Sequence, residues 1–226
     1  MAPNGTPAKR PRLAAVVTAY RKMLHPQHIV DRFLEGYGWN GKYHYPQMDM
    51  VSLYVDQRGE GDVFQERADR HPTMKIYPTI EEAITLGTGK LAVDGVVVVG
   101  EHGTYPKSDS GIMMHPHYEF FEQITAVFRK SGRSVPYFND KELSWKWEWC
   151  KKMVDVSHEL NFPLQGGSVH PQRRRTRLGS GIEREDPQPT TRAAGSCGAC
   201  RRKKRRTSSR SRVTVIGGNA AANILP

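Results

Sequence analysis

The apolar positions of this chain come as short, unbroken runs separated by longer stretches with helical spacing. The clearest run is Val93-Asp-Gly-Val-Val-Val-Val-Gly-Glu-His102, with four consecutive valines. Branching at Cβ makes such a run stiff at χ1, and continuous apolarity suits a strand covered on both faces. Leu13–Thr18 and Met50–Val55 read the same way, Lys75–Tyr77 as a shorter strand, and Ser134–Phe138 and Phe162–Gln165 as two more.

Between the runs the period changes to that of a helix. Pro26 suits a first helical position, Ile29, Phe33 and Leu34 follow at helical spacing, and Gly36 and Gly38 stop the helix. Tyr37–Gln47 reads as a polar, aromatic loop, and Val63–His71 as a charged helix. Thr79 with Glu82 forms a capping box that opens a helix to about Leu86. Tyr105–His115 is turn-rich. Pro116 opens a long helix with the stripe Phe120, Phe121, Ile124, Val127 and Phe128, closed by Gly132. Ser144 is the expected N-cap of a last helix whose stripe is Trp145, Trp149, Met153, Val156 and Leu160. Strand and helix alternate throughout, which predicts an α/β fold: a Rossmann-like, doubly wound parallel sheet. The aromatic stripes are then core, facing the sheet.

In such a sheet the polar groups after each strand fall on the carboxyl edge, where ligands bind. The candidates are Thr18, Tyr20 and Arg21; Asp56; Tyr77, Pro78 and Thr79; Gly100, Glu101 and His102; and Asn139, Asp140 and Lys141. Asp56, ending the second strand, is placed to accept the two hydroxyls of an adenosine ribose. The first turn has no glycine between Leu13 and Gly36, so a pyrophosphate would be held by charge, through Arg21, Lys22 and the following helix N-terminus, and not by close backbone approach. The histidines show no metal-ligand spacing, so no metal site is expected; His25, His28, His115 and His117 read as loop and helix-start residues.

Charge divides the chain. The net charge is +11. Residues 1–168 are neutral overall, and 169–226 hold 14 basic residues against Glu183, Glu185 and Asp186, with no Phe, Tyr or Trp. A like-charged segment without aromatics cannot bury enough surface to fold. The expected organisation is a disordered leader over 1–12, a nucleotide-binding domain over 13–168 and a disordered basic tail over 169–226. Arg201–Arg206 is an electrostatic patch that would bind nucleic acid only non-specifically. Cys197 and Cys200 form one pair without a second, and Cys150 stands alone, so a disulfide framework is excluded. No apolar stretch suits a signal peptide or a membrane span, and the expected location is the cytoplasm.

Three stretches carry a family resemblance. Thr79-Ile-Glu-Glu-Ala83, Val93–His102 and Gly132-Arg-Ser-Val-Pro-Tyr-Phe-Asn-Asp-Lys-Glu-Leu-Ser144 resemble the short helix, the "D-A-V-x-I-A-T-P-N-x-x-H" strand and the "G-K-x-V-x-x-E-K-P-L-A" segment of the glucose–fructose oxidoreductase/inositol dehydrogenase (Gfo/Idh/MocA) N-terminal domain. More narrowly, Thr18, Tyr20, Arg21, Tyr54, Asp56, Gln57, Gly100 to Tyr105 and Asn139 to Ser144 are similar to a bacterial branch with "V-T-x-Y-R-x-x-S-H-A-D", "Y-V-D-Q", "G-E-H-G-x-Y-P" and "F-N-D-K-x-L-S" signatures. The resemblance implies NAD or NADP as cofactor and a small-molecule substrate. Lys141 falls on the family lysine beside nicotinamide and substrate, and with His102 it is the expected catalytic pair. Thr18, Tyr20, Arg21, Asp56, Gly100, Glu101, Asn139 and Asp140 are the expected cofactor contacts. Glu142 stands where the family has proline. The second, sheet-rich domain that completes the family's active site is absent, and from about residue 169 the text reads as an out-of-frame translation of a GC-rich gene. An incomplete oxidoreductase is therefore expected. A non-catalytic nucleotide- or sugar-binding protein is the alternative, and a tail-driven nucleic-acid binder a further one. Apolar surface left without its second domain would favour self-association.

Overall fold

The computed structural model describes residues 9–167. The expectations for most of the leader, the basic tail, Cys197, Cys200 and Arg201–Arg206 lie outside the described residues. The last residues of the expected leader lie inside them, and they are tied down. Arg10 donates to the Asp49 carboxylate and the Pro46 and Met48 carbonyls, and the first strand begins at Arg12.

The elements in order are β1 (Arg12–Val17), α1 (His25–Glu35), β2 (Tyr37–Trp39), β3 (Lys42–His44), β4 (Asp49–Val55), α2 (Phe64–Arg70), β5 (Lys75–Tyr77), α3 (Ile80–Thr85), β6 (Gly95–Val99), α4 (His117–Ser131), β7 (Tyr137–Asn139), α5 (Trp147–Glu159) and β8 (Leu164–Gly166). Six strands pair in parallel in the order β5-β4-β1-β6-β7-β8. This is the doubly wound order, with its reversal between β1 and β6. The valine strand β6 is fully buried and lies beside β1 at the centre, in register from Leu13↔Gly95 to Val17↔Val99.

Period-two alternation explains why both faces are apolar. Ala14, Val16, Val96 and Val98 face one core with Ile80, Ile84, Phe121, Ile124, Phe128 and Met153, from α3, α4 and α5. Leu13, Ala15, Val17, Val97 and Val99 face the other, with Val30 and Phe33 of α1 and with Met50, Leu53 and Met74. The stripe read on α4 is buried throughout.

Four local expectations are corrected. Tyr37–Gln47 is not all loop: Tyr37–Trp39 pairs antiparallel with Lys42–His44 around Asn40-Gly41, both at positive φ. β7 begins at Tyr137, later than Ser134, because Pro136 has no N–H to give and serves only as acceptor for Val96. β8 is shifted to Leu164–Gly166 in the same way by Pro163. Ser144 is not the N-cap of α5. Lys146 is, without a side-chain cap, and Ser144 is buried with its hydroxyl accepting from the Lys146 N–H at 3.4 Å. The Thr79 cap is as expected: its hydroxyl accepts from the Glu82 N–H at 3.1 Å. Among the described residues no helix is long and apolar enough to cross a membrane.

Candidate functional site

The carboxyl edge collects most of the expected residues into one braced network. At its centre β1 and β6 end side by side. The Thr18 N–H donates to the Val99 carbonyl, and the Thr18 hydroxyl accepts from the His102 N–H at 3.2 Å, so this buried threonine locks the loop after β6 onto the end of β1. From the turn after β7, Lys141 donates to Glu101 Oε2 at 2.6 Å, with only 16% and 14% of the two side chains exposed. Lys141 has φ +63°, an uncommon conformation for a residue with a side chain, and such strain gathers at functional sites.

The sequence points to the N-terminus of α1 for a phosphate, and the structure adds a side chain from it. His25, the first residue of α1, places Nδ1 2.7 Å from Asp140 Oδ2 and its ring 5.4 Å from that of His102. Pro26 marks the helix start in the sequence, but nothing local says where the ring before it points. His117 is a second arrival. Asn139 Nδ2 donates to the Glu142 carbonyl at 2.6 Å and to His117 Nδ1 at 2.8 Å. Because the amide nitrogen faces a carbonyl, its orientation is fixed, and His117 Nδ1 must be the acceptor, leaving that buried imidazole neutral.

Glycines explain the tight loop. A Cβ on Gly100 would stand 2.7 Å from His117 Nε2, so Gly100 makes room for that ring. Gly103 has φ +124°, and a Cβ there would meet Tyr105 at 2.8 Å and Gln57 Oε1 at 2.9 Å. The Gln57 amide donates to the Thr104 carbonyl at 2.9 Å and accepts from the Thr104 N–H at 2.8 Å, a two-point clamp between the loop and the end of β4. Beside it, both Asp56 oxygens accept from tyrosines, Tyr54 at 2.8 Å and Tyr105 at 2.7 Å. Burial and the Asp56 charge push the Tyr54 hydroxyl up to about 12, and raise Tyr105 as well.

Two candidates stand apart. Tyr20 is completely buried and donates to Asp31, which also pairs with Arg67 at 3.0 Å, so its side chain belongs to the core. Arg21 turns toward the loop after β4 and pairs with Asp62 at 3.2 Å. A cavity of about 140 Å³ lies at the opposite edge, lined by Arg10, Asp49, His71 and Thr73 among others.

Several buried polar atoms at the carboxyl edge have no hydrogen-bond partner: Glu101 Oε1, His102 Nε2, His115 Nδ1, His117 Nε2 and Asn139 Oδ1. Such atoms are costly in a folded protein unless something satisfies them. Burial, reinforced for His102 by His25 and Lys141, holds His102 and His115 below the usual imidazole range. A histidine so held binds fewer protons folded than unfolded. Stability is therefore lost as pH falls from about 6.5, the unfolded value, through the lower folded values. We expect an unfolding midpoint that is level above pH 7 and drops toward pH 5, with a shallower drop in His102→Gln. A midpoint that is flat over this range would contradict it.

No protein-family model and no curated protein matches this chain. Solved structures do. GenD2 from gentamicin A biosynthesis, solved in complex with NAD, is 17% identical with a TM-score of 0.47, over 82% of this chain and 43% of its own. Biliverdin reductase from Synechocystis sp. PCC 6803, solved with biliverdin and NADP+, is 14% identical with a TM-score of 0.46, over 75% and 42%. The scyllo-inositol dehydrogenase from Lactobacillus casei is 10% identical with a TM-score of 0.44, over 77% and 41%. The chain thus spans less than half the length of each.

Proposed function

We propose that residues 13–168 form the nucleotide-binding part of an NAD(P)-linked oxidoreductase, and that the chain is catalytically incomplete without further structure over its carboxyl edge. The observation that carries this reading is the set of unpartnered buried polar atoms, Glu101 Oε1 and His102 Nε2 at the point where the strand order reverses and Asn139 Oδ1 at the end of the neighbouring β7. Those atoms, with the Lys141 ammonium, suit the polar end of a dinucleotide and the substrate beside it. Asp56 has lone pairs left for a ribose after accepting from Tyr54 and Tyr105. Arg21 is the charge available to a pyrophosphate, in place of the missing glycine turn, and Thr18 and Gly100 shape the crevice by bracing and by yielding space. Tyr20 acts from beneath, by packing.

Bound there, NAD(P) would supply the acceptor or donor of a hydride. The chain's own residues would hold and polarise the substrate. Lys141, fixed by Glu101, presents a positive charge to a substrate oxygen, and the neutral His102 imidazole offers a hydrogen bond.

Titrating NAD+, NADH, NADP+ and NADPH into the full chain tests the reading. We expect saturable binding of at least one, weakened about tenfold or more by Lys141→Met or Asp56→Asn, the loss of roughly one charge-assisted hydrogen bond. A folded chain that binds none of the four defeats the dinucleotide reading.

A further inference from the structure

We propose that His25, oriented by Asp140, is the proton acceptor of this edge, its Nε2 taking the proton of a hydroxyl-bearing ligand held beside Lys141. The inference rests on the oxidoreductase reading above and adds to it a role for His25, which was not among the expected site residues.

Geometry fixes the tautomer. Asp140 is almost wholly buried, its side chain 8% exposed, and its backbone N–H donates to the Val98 carbonyl, so its carboxylate is set by the sheet itself. Its Oδ2 lies 2.7 Å from His25 Nδ1. An ionised carboxylate only accepts, so Nδ1 carries the hydrogen and Nε2 the lone pair. This is how a carboxylate prepares an imidazole to act as a base in hydrolytic triads. With 27% of its side chain exposed, His25 remains within reach of a ligand.

Lys141 does not consume that lone pair. Its Nζ lies 3.0 Å from Nδ1 and 3.3 Å from Nε2. A position so nearly equidistant from both nitrogens, taken in the ring plane, would collide with the carbon between them. The ammonium therefore sits over the ring face, and Lys141 does not occupy the in-plane direction from Nε2.

Around His25 are Asp140 and Lys141 from the turn after β7 and Glu101 and the neutral His102 from the loop after β6. Counting Lys141 as +1 and Glu101 and Asp140 as −1 each, the cluster carries −1 with His25 neutral and zero once His25 is protonated. Asp140 then faces an imidazolium, and Lys141, held by Glu101, lies next to the oxygen that loses its proton. The ligand O–H bond breaks and the Nε2–H bond forms. The electron pair stays on the oxygen, which becomes a carbonyl as the neighbouring carbon loses hydride to the oxidised NAD(P) named above.

Two measurements on the full chain test this. With 15N-labelled histidine, the His25 resonances in the free protein are expected to report the Nδ1–H tautomer, and Asp140→Asn to shift them toward a mixture. A wild-type His25 in the Nε2–H tautomer overturns the proposal. Calorimetric titration in two buffers of different ionisation heat, between pH 5 and 8 where imidazoles titrate, reads protons. Toward pH 5, where an ordinary imidazole is charged, NAD+ with its positive ring is expected to displace up to about one proton and NADH none, because a charge near a titrating group shifts its protonation. That difference is expected to vanish in His25→Asn, with His25→Gln as the second variant should the first not fold. A difference unchanged in both variants overturns the role of His25 while leaving the dinucleotide reading intact. A folded chain that binds neither form overturns the dinucleotide reading, and this proposal with it.

Discussion

Gly103→Ala is expected to cost about 2–4 kcal/mol of folding stability, far more than a surface substitution in a loop normally does. Two independent penalties add. The φ of +124° lies beyond the left-handed region that residues with a side chain visit, a strain of about 1–3 kcal/mol. A new Cβ would also stand 2.8 Å from the Tyr105 ring and 2.9 Å from Gln57 Oε1. Neither neighbour is free to yield: Gln57 holds Thr104 at two points and Tyr105 holds Asp56. Gly41→Ala is the control. It too has positive φ, +71°, but nothing lies within 4 Å of its Cβ, so it carries only the conformational penalty of about 1 kcal/mol. Denaturant unfolding of both variants decides it. If Gly103→Ala loses no more than Gly41→Ala, the loop after β6 is not braced as described.

The same contacts give physical content to the short signatures. In "Y-V-D-Q", Tyr54 donates to Asp56 and Gln57 reaches across to Thr104. In "G-E-H-G-x-Y-P", Gly100 yields space to His117, Glu101 receives Lys141, Gly103 permits the turn and Tyr105 reaches Asp56. In "F-N-D-K-x-L-S", Asn139 fixes His117, Asp140 fixes His25, and Leu143 packs against Gly166. Each signature ends a different strand, and each is held by one of the others. They read as three fragments in the chain and as one object in the fold.

That contrast shows what the sequence carried. The valine run, the α4 stripe and the Thr79–Glu82 box were legible because periodicity and capping are local properties. The carboxyl edge was legible as a list, because a parallel sheet sends every strand end the same way. What lay beyond reach depends on tertiary approach. The ring of His25 finds Asp140 across 115 residues of chain. Tyr20 follows β1 directly, as a ligand contact would, but its hydroxyl turns inward to Asp31. The start of α5 went the other way: Ser144 has the chemistry of an N-cap, but it is buried two residues before the helix that Lys146 opens.

Lys141→Met is expected to destabilise the fold by roughly 3 kcal/mol, and the loss is expected to be largely recovered in the double variant Glu101→Gln/Lys141→Met. The pair is mostly shielded, 16% and 14% exposed, and Glu101 Oε1 is buried with no partner, so Lys141 is the main compensation for that carboxylate. Removing one partner of a buried pair leaves an uncompensated charge, which costs about 3–5 kcal/mol, and the remaining exposure places this case at the lower end. Removing both charges takes away the attraction and the desolvation cost together, which is often close to neutral. A coupling free energy near zero in the double-mutant cycle would mean that Glu101 and Lys141 are solvated separately. The carboxyl edge would then be an open surface with no charge held in place for a ligand.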